Sequence, residues 1–288
     1  MEGKILALSC GIYSVLVDGV IYRAPARGIF RMGSIKPMVG DNVDLDIGNM
    51  VINFVYPRVS QLKRPSVANI DQMLVVSSLV EPAFSYLLAF KYLTYANMNG
   101  VKAKLILTKN DKSIDQKMKD EIKDVFNRLN IDVYFVSNKQ GTGLKEVRTL
   151  FKDHITCLIG QTGVGKSSLI NAIDPQFERE VGEYSRALGR GKHKTKEVIL
   201  LPYEGGYIAD TPGFSSLDLD LYKEELAQYF PGFTELYLKC YFSNCLHISE
   251  ERCEVKTALK DGIISKIAYD CYLTLSKEAI SQIRRYEK

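Results

Sequence analysis

Gly160-Gln161-Thr162-Gly163-Val164-Gly165-Lys166-Ser167 is the stretch that decides how this chain is built. It matches G-x-x-x-x-G-K-[ST] in full, the pattern of a phosphate-binding loop. The apolar run at 155–159 leads into it and reads as a buried strand, and a helix is predicted from Lys166 onward. The glycines let backbone N–H groups close around phosphate oxygens, and the helix N-terminus adds a favourable dipole. On this pattern Lys166 reaches the β- and γ-phosphates and Ser167 ligates Mg²⁺. Ser168 can donate near the α-phosphate.

Downstream, Asp210-Thr211-Pro212-Gly213 follows a short apolar strand at 207–209. A carboxylate there can hold Mg²⁺ through water, and the Gly213 N–H can meet the γ-phosphate. Upstream, Thr108-Lys109-Asn110-Asp111 closes a strand predicted at 104–108 and resembles the [NT]-K-x-D guanine motif. Asp111 carries the chemistry. Its two oxygens can accept from guanine N1–H and the exocyclic amine, a donor pair that adenine lacks. Ser137-Asn138-Lys139 ends the next strand, at 133–137, and resembles the S-A-K loop whose backbone N–H faces guanine O6. Alone, D-x-x-G is a common turn and T-K-N-D an ordinary strand-to-helix turn with a capping Asp. Their placement around one phosphate loop makes them informative.

The order is unusual, because the two base motifs precede the phosphate loop: a circular permutation. An α/β domain tolerates it because its termini often lie close together. Between loop and Asp210, residues 186–196 hold Arg186, Arg190, Lys192, Lys194 and Lys196 with no acid. This position reads as switch I, with Thr195 as a Mg²⁺-contacting residue. Phe214 stands where many GTPases place a water-orienting Gln, and a phenyl ring cannot orient water. His193 is therefore the candidate catalytic group.

Further out, residues 3–9, 12–17, 20–23, 43–47 and 50–55 alternate apolar and polar positions, with Gly48-Asn49 as a turn. Short strands at this spacing predict a small OB-like β-barrel. From residue 72 strands and helices alternate: strand 72–79, helix 84–98, strand 104–108, helix 115–129, strand 133–137, helix 144–151 and strand 155–159. Strands at 197–201 and 207–209 complete an α/β sheet with helices on both faces. Beyond about 221 the pattern turns helical, with helices expected at 261–269 and 274–286. Cys240-x4-Cys245-x-His247-x5-Cys253 supplies four soft ligands, a Cys3His set suited to one structural Zn²⁺. The alternative is reduced cysteines beside a surface His, and Cys271 is a weaker ligand candidate. Cys10 and Cys157 are assigned to strands in the core. The domains are expected at 1–64, 65–221 and 222–288.

The chain has 288 residues, 46% hydrophobic and 25% charged, with a net charge of +4, a soluble globular composition that permits nucleic-acid binding. No run approaches the roughly 18 apolar residues of a membrane span. No signal peptide is read at the N-terminus, so a cytoplasmic location and no membrane partner are expected.

Together these residues resemble the RsgA family of circularly permuted GTPases of small ribosomal subunit biogenesis. The likeness is carried by Arg64-Pro65-Ser66-Val67-Ala68-Asn69-Ile70-Asp71-Gln72 at the domain junction, the permuted motifs, Gly189-Arg190-Gly191-Lys192-His193, Asp210-Thr211-Pro212-Gly213-Phe214 and the Cys/His quartet. The resemblance implies an N-terminal OB-fold that binds RNA, a permuted GTPase domain, and a mostly helical zinc-binding C-terminal domain. It implies GTP hydrolysis with Mg²⁺, stimulated by the 30S subunit late in its maturation, contact with 16S rRNA, and a monomer. Lys194 and Lys196 replace the consecutive threonines that the family carries there, leaving Thr195. A nucleic-acid-binding module with a regulatory nucleotide pocket and little hydrolysis is the competing reading. A P-loop ATPase or kinase is disfavoured by Asp111.

Overall fold

The computed structural model describes residues 1–28, 30, 35–63, 65–112, 115–175, 198–210 and 217–279. Alternating apolar residues build its first five strands. β1 (Glu2–Ser9), β2 (Ile12–Val17) and β3 (Val20–Pro25) form an antiparallel meander. β4 (Asn42–Asp46) returns to pair with β1, and β5 (Val51–Val55) pairs with β4. A parallel bridge between Ala26 and Ile52 closes the ring, giving the expected small barrel around Ile5, Val15, Ala24, Val43 and Leu45. Cys10 departs from expectation. It is exposed in the β1–β2 connection at φ +49°, followed by Gly11 at +81°. Two residues with positive φ are what a tight hairpin turn requires, so Cys10 leaves the core. Cys157 is buried as expected.

The chain leaves the barrel through a small ribbon of β6 (Gln61–Leu62) and β7 (Val67–Ala68). Arg58 fastens this exit by donating to both carboxylate oxygens of the fully buried Asp41, at 2.7 and 2.8 Å.

β8 (Gln72–Ser78), β9 (Lys102–Thr108), β10 (Val133–Phe135), β11 (Ile155–Ile159) and β13 (Gly206–Asp210) run parallel in the order β10-β9-β8-β11-β13. β12 (Ile199–Tyr203) lies antiparallel beside β13. The strands β8 and β11 are near-continuous apolar runs because both faces of the sheet are covered. α1 (Tyr86–Met98), α2 (Gln116–Asn127), α3 (Leu144–Thr149) and α4 (Lys166–Ile173) supply the crossovers and the helix after the glycine loop. Ser85 and Asp115 cap the first two through their side chains. Parallel strands deliver their following loops to one sheet edge, the place where open α/β sheets bind ligands. The segments after Thr108, Phe135 and Ile159 therefore meet. β1 also pairs with β12 at Ala7 and Ile199, so barrel and parallel sheet share one 11-stranded sheet.

The C-terminal part holds α5 (Lys223–Tyr229), a 3-10 turn (Tyr237–Lys239), α6 (Glu254–Lys260) and α7 (Lys266–Glu278). This corrects the helices expected at 261–269 and 274–286. Asp261 caps α6, Gly262 breaks the chain at φ +74°, and Ser265 starts one helix that runs through Thr274. The end of the second expected range lies outside the described residues.

A file of aromatic rings joins this part to the sheet. Phe126 packs on Phe90 at 5.0 Å, Phe90 on Phe230 at 5.1 Å, and Tyr272 on Phe230 and Phe233 at 5.4 and 4.6 Å between ring centroids. α1 is therefore buried nearly all round, which matches its apolar sequence, Tyr86-Leu87-Leu88-Ala89-Phe90. Among the described residues no helix is long and apolar enough to cross a membrane.

Candidate nucleotide pocket and metal centre

The phosphate loop is shaped by backbone that only glycine adopts readily. Gly160 takes φ +147°, and a Cβ there would stand 2.0 Å from the Val76 carbonyl oxygen. Gly165 takes φ +95° as the residue that opens α4. Between them Val164 is buried and anchors the loop, while Thr162 and Gly163 are exposed and Gln161 half-buried. Lys166 curls back, its Nζ donating to the Gly160 and Gln161 carbonyls at 2.6 and 2.8 Å. Burial holds its ammonium below the ordinary lysine value. Ser167 and Ser168 are exposed on the first turn of α4.

Thr108 ties the base motif to this loop. It is fully buried, and its hydroxyl donates to the Val164 carbonyl at 2.6 Å, with the Ser77 carbonyl at 3.2 Å. Lys109, at φ +60°, reaches over the loop; its Nζ donates to the Glu81 carbonyl and to the Gly163 carbonyl at 3.2 Å. The Asn110 N–H donates to the Val136 carbonyl, keeping the turn on the sheet edge.

Asp111 is oriented from beneath. The buried Ser137 hydroxyl donates to Asp111 Oδ1 at 2.7 Å and accepts from the Gln140 N–H at 3.1 Å. That hydroxyl, with lesser help from nearby lysines, holds the Asp111 carboxyl below the ordinary aspartate range. The carboxylate stays charged and acceptor-only, as a reader of paired N–H groups must be. The S-N-K loop was expected to act through its backbone. The Ser137 side chain adds a positioning role that its sequence alone did not signal.

Thr108, Lys109, Asp111, Asn138, Lys139, Gly163, Val164, Gly165 and Ser168 line one cavity of about 340 Å³. Glu81 and Lys112 also line it, and the sequence reading missed both. Glu81-Pro82 follows β8 at the sheet edge, so its place after a parallel strand was the available signal. Asp210 ends β13, and the pairing of Cys157 with Ala209 brings its backbone level with the end of β11. His193, Thr195, Gly213 and Phe214 lie outside the described residues.

The second centre gathers Cys240, Cys245, His247 and Cys253. Their ligand atoms all lie within 4.8 Å of one another, and Cys245, His247 and Cys253 are buried. His247 turns Nδ1 toward Cys240 and Cys253, at 3.5 and 3.4 Å. Tetrahedral zinc with ordinary bond lengths puts such N and S ligands about 3.6 Å apart. Donor chemistry and spacing therefore both fit a metal. The loop is fixed from outside as well. Glu250 accepts from the Leu246 and Ile248 N–H groups at 2.8 and 2.9 Å, and the Tyr269 hydroxyl donates to the His247 carbonyl at 2.7 Å. Burial pushes the Cys245 thiol up to about 12 and raises Cys253. Protons must leave these thiols when a metal binds. Cys271 lies buried on α7 and is not one of the four.

The fold and its two centres define a P-loop nucleotide-binding domain, circularly permuted, between a β-barrel and a Cys/His module. Comparison with known proteins agrees. A family model described as RsgA GTPase matches residues 55–220, and one described as RsgA N-terminal domain matches residues 2–51. A Halalkalibacterium halodurans protein named small ribosomal subunit biogenesis GTPase RsgA is 38% identical over 290 residues, covering 99% of each chain. A protein of the same name from Clostridium acetobutylicum is 39% identical over 284 residues, 97% of this chain and 98% of its own. The crystal structure of YjeQ from Thermotoga maritima superposes with a TM-score of 0.83 at 30% identity, covering 98% of this chain and 99% of that one. YloQ, described as a circularly permuted GTPase, superposes with a TM-score of 0.79 at 35% identity, covering 96% and 94%. The chain belongs to the RsgA GTPase family.

Proposed function

We propose that this chain hydrolyses GTP to GDP and phosphate while bound to the 30S ribosomal subunit, contacting 16S rRNA late in the subunit's maturation, with hydrolysis stimulated by the subunit. One observation carries the reading: Asp111 and the phosphate loop line a single cavity although the base motif precedes the loop in sequence. The names of the relatives support the ribosomal part. The working location is the cytoplasm and the working form a monomer. The units are a barrel at 1–64 that binds RNA, a GTPase domain at 65–221 and a zinc-binding module at 222–288.

In this reading Asp111 accepts from guanine N1–H and the 2-amine, held charged by Ser137. Asn138 and Lys139 close over the base through the backbone, and Thr108, Lys109 and Asn110 fix the turn. Gly160, Gln161, Thr162, Gly163, Val164 and Gly165 cradle the phosphates. Lys166 exchanges its two carbonyl partners for phosphate oxygens, and Ser168 donates near the α-phosphate. Ser167, Thr195 and Asp210 would hold Mg²⁺, which neutralises phosphate charge when bound. The Gly213 N–H meets the γ-phosphate, and His193 orients the attacking water. Cys240, Cys245, His247 and Cys253 would hold one structural Zn²⁺, four protein ligands leaving no open position for chemistry.

Phe214 favours the second reading, a regulatory nucleotide pocket with little hydrolysis. GTP turnover with and without purified 30S subunits separates the two. Slow turnover alone that rises at least about tenfold with subunits is expected. Equal, negligible turnover in both arms supports the regulatory pocket instead.

A further inference from the structure

Asn138 carries a side-chain amide in the S-N-K loop, whose expected base contact is through the backbone. Asn138 lines the nucleotide cavity with Thr108, Asp111 and Gly165. Its Oδ1 is buried without a hydrogen-bond partner. Its Nδ2 flanks the residue that opens α4: a Cβ on Gly165 would stand 3.6 Å from Asn138 Nδ2 and 3.8 Å from Thr108 Oγ1. Thr108 occupies the position that is Asn in the usual base motif. Its single hydroxyl proton points to the Val164 carbonyl at 2.6 Å, which leaves none for a base. Asn110 also has a buried, unpartnered Oδ1, but its side chain does not line the cavity.

Native interiors rarely leave a carboxamide oxygen unpaired, and such a group calls for a functional explanation. No bond at Oδ1 ties the carboxamide to the protein, so what enters the cavity it lines sets its use, and there its N–H groups are a donor beside a threonine that cannot donate and in the same pocket as a carboxylate that only accepts. We propose that the Asn138 side chain is a specificity-determining contact to the base, its Nδ2–H donating to the O6/N7 edge of guanine. Asp111 then reads the donor edge of the same ring and Asn138 the acceptor edge. Adenine offers N7 but carries an amine at position 6, so there the Asn138 donor meets another donor. The inference rests on the guanine reading of the pocket and gives that pocket a second discriminating side chain.

The test is calorimetry of nucleotide-free protein with GDP, IDP, ADP and 6-thio-GDP, in wild type and Asn138→Ala. IDP keeps O6 and lacks the 2-amine; 6-thio-GDP replaces O6 by a poorer acceptor. Asn138→Ala should weaken GDP and IDP by a similar factor, about tenfold, and leave ADP unchanged. The penalty for 6-thio-GDP relative to GDP should be smaller in the variant than in wild type. Asn138→Asp, an acceptor of the same shape, should weaken GDP further than alanine does. Thermal unfolding of nucleotide-free Asn138→Ala should match wild type or exceed it, since an unpaired buried oxygen is removed. If that variant does not fold, Asn138→Ser takes its place in each titration. Equal losses for GDP and ADP, or no loss of GDP affinity, would overturn the contact while sparing the Asp111 reading. A wild-type protein without preference for GDP over ADP would overturn both.

Discussion

At the nucleotide pocket the meeting residues come from distant parts of the chain, while the four clustered Cys and His side chains all fall within residues 240–253. The scattered site is joined by bonds that cross between its loops. Parallel strands bring its loops to one edge, and Thr108, Lys109 and Ser137 lock them with hydrogen bonds inside the protein. The compact site has two buried cysteines whose thiols burial shifts upward, and a short loop held by Glu250 and Tyr269. The proposed Zn²⁺ would tie its four side chains together, and the rings of Phe233 and Tyr272 pack against His247. On the proposed reading, the site near in sequence is the one that leans on an ion.

Taking the metal away should break that contrast open most widely. Small zinc-dependent modules owe about 10 kcal/mol or more to their ion. A thiol-competent chelator, or Cys253→Ser, should expose the segment beyond residue 221 to limited proteolysis. GDP affinity should change by no more than about twofold, because the two centres are built on different elements, one on the loops of the parallel sheet and one within residues 240–253. Equal loss of both would show that the pocket leans on the module.

The aromatic file offers a smaller break. Phe90 is fully buried between Phe126 and Phe230, and Phe90→Ala should cost about 3–5 kcal/mol in urea denaturation. The same variant should separate the unfolding of the C-terminal part from that of the sheet. A single unchanged transition would argue against the seam as their main bond.

Within the pocket, Thr108→Val keeps shape and removes the donor to Val164, leaving a buried carbonyl unpaired. A stability loss of about 1–3 kcal/mol is expected, with weaker GDP binding. Ser137→Ala should act more gently, through charge. With its donor removed, the Asp111 carboxyl returns toward the ordinary aspartate range. Guanine recognition needs the ionised form, so affinity holds above the carboxyl's pKa and falls as pH drops through it. In the variant that fall should begin at higher pH than in wild type, with a few-fold weaker binding at neutral pH. A pH titration of GDP affinity in both proteins checks the direction.

Much of this was legible in the sequence, for definite reasons. The phosphate loop, both base motifs and the Cys/His quartet are short patterns whose residue types follow directly from their chemistry, and the parallel strands announce themselves as apolar runs. Contacts between remote residues were not legible. Nothing in Ser137 or Asp111 says that one hydroxyl sets the charge of the other, since the link crosses from one loop to the next. Glu81 joins the pocket only because β8 ends beside the phosphate loop. The C-terminal helix boundaries were misplaced although Asp261-Gly262 and Ser265 are stop and start signals, because apolar residues run across them. Cys10 looked like strand core until the hairpin turn claimed it.

The most direct test is calorimetry of the wild-type protein with GDP, ADP and XDP, repeated with Asp111→Asn. The wild type should bind GDP at least about a hundredfold more tightly than ADP, and the variant should trade GDP for XDP, whose ring presents an acceptor where guanine has its amine. Binding of ADP as tight as GDP, or a variant that keeps its preference for GDP, would contradict a pocket in which one carboxylate chooses the base.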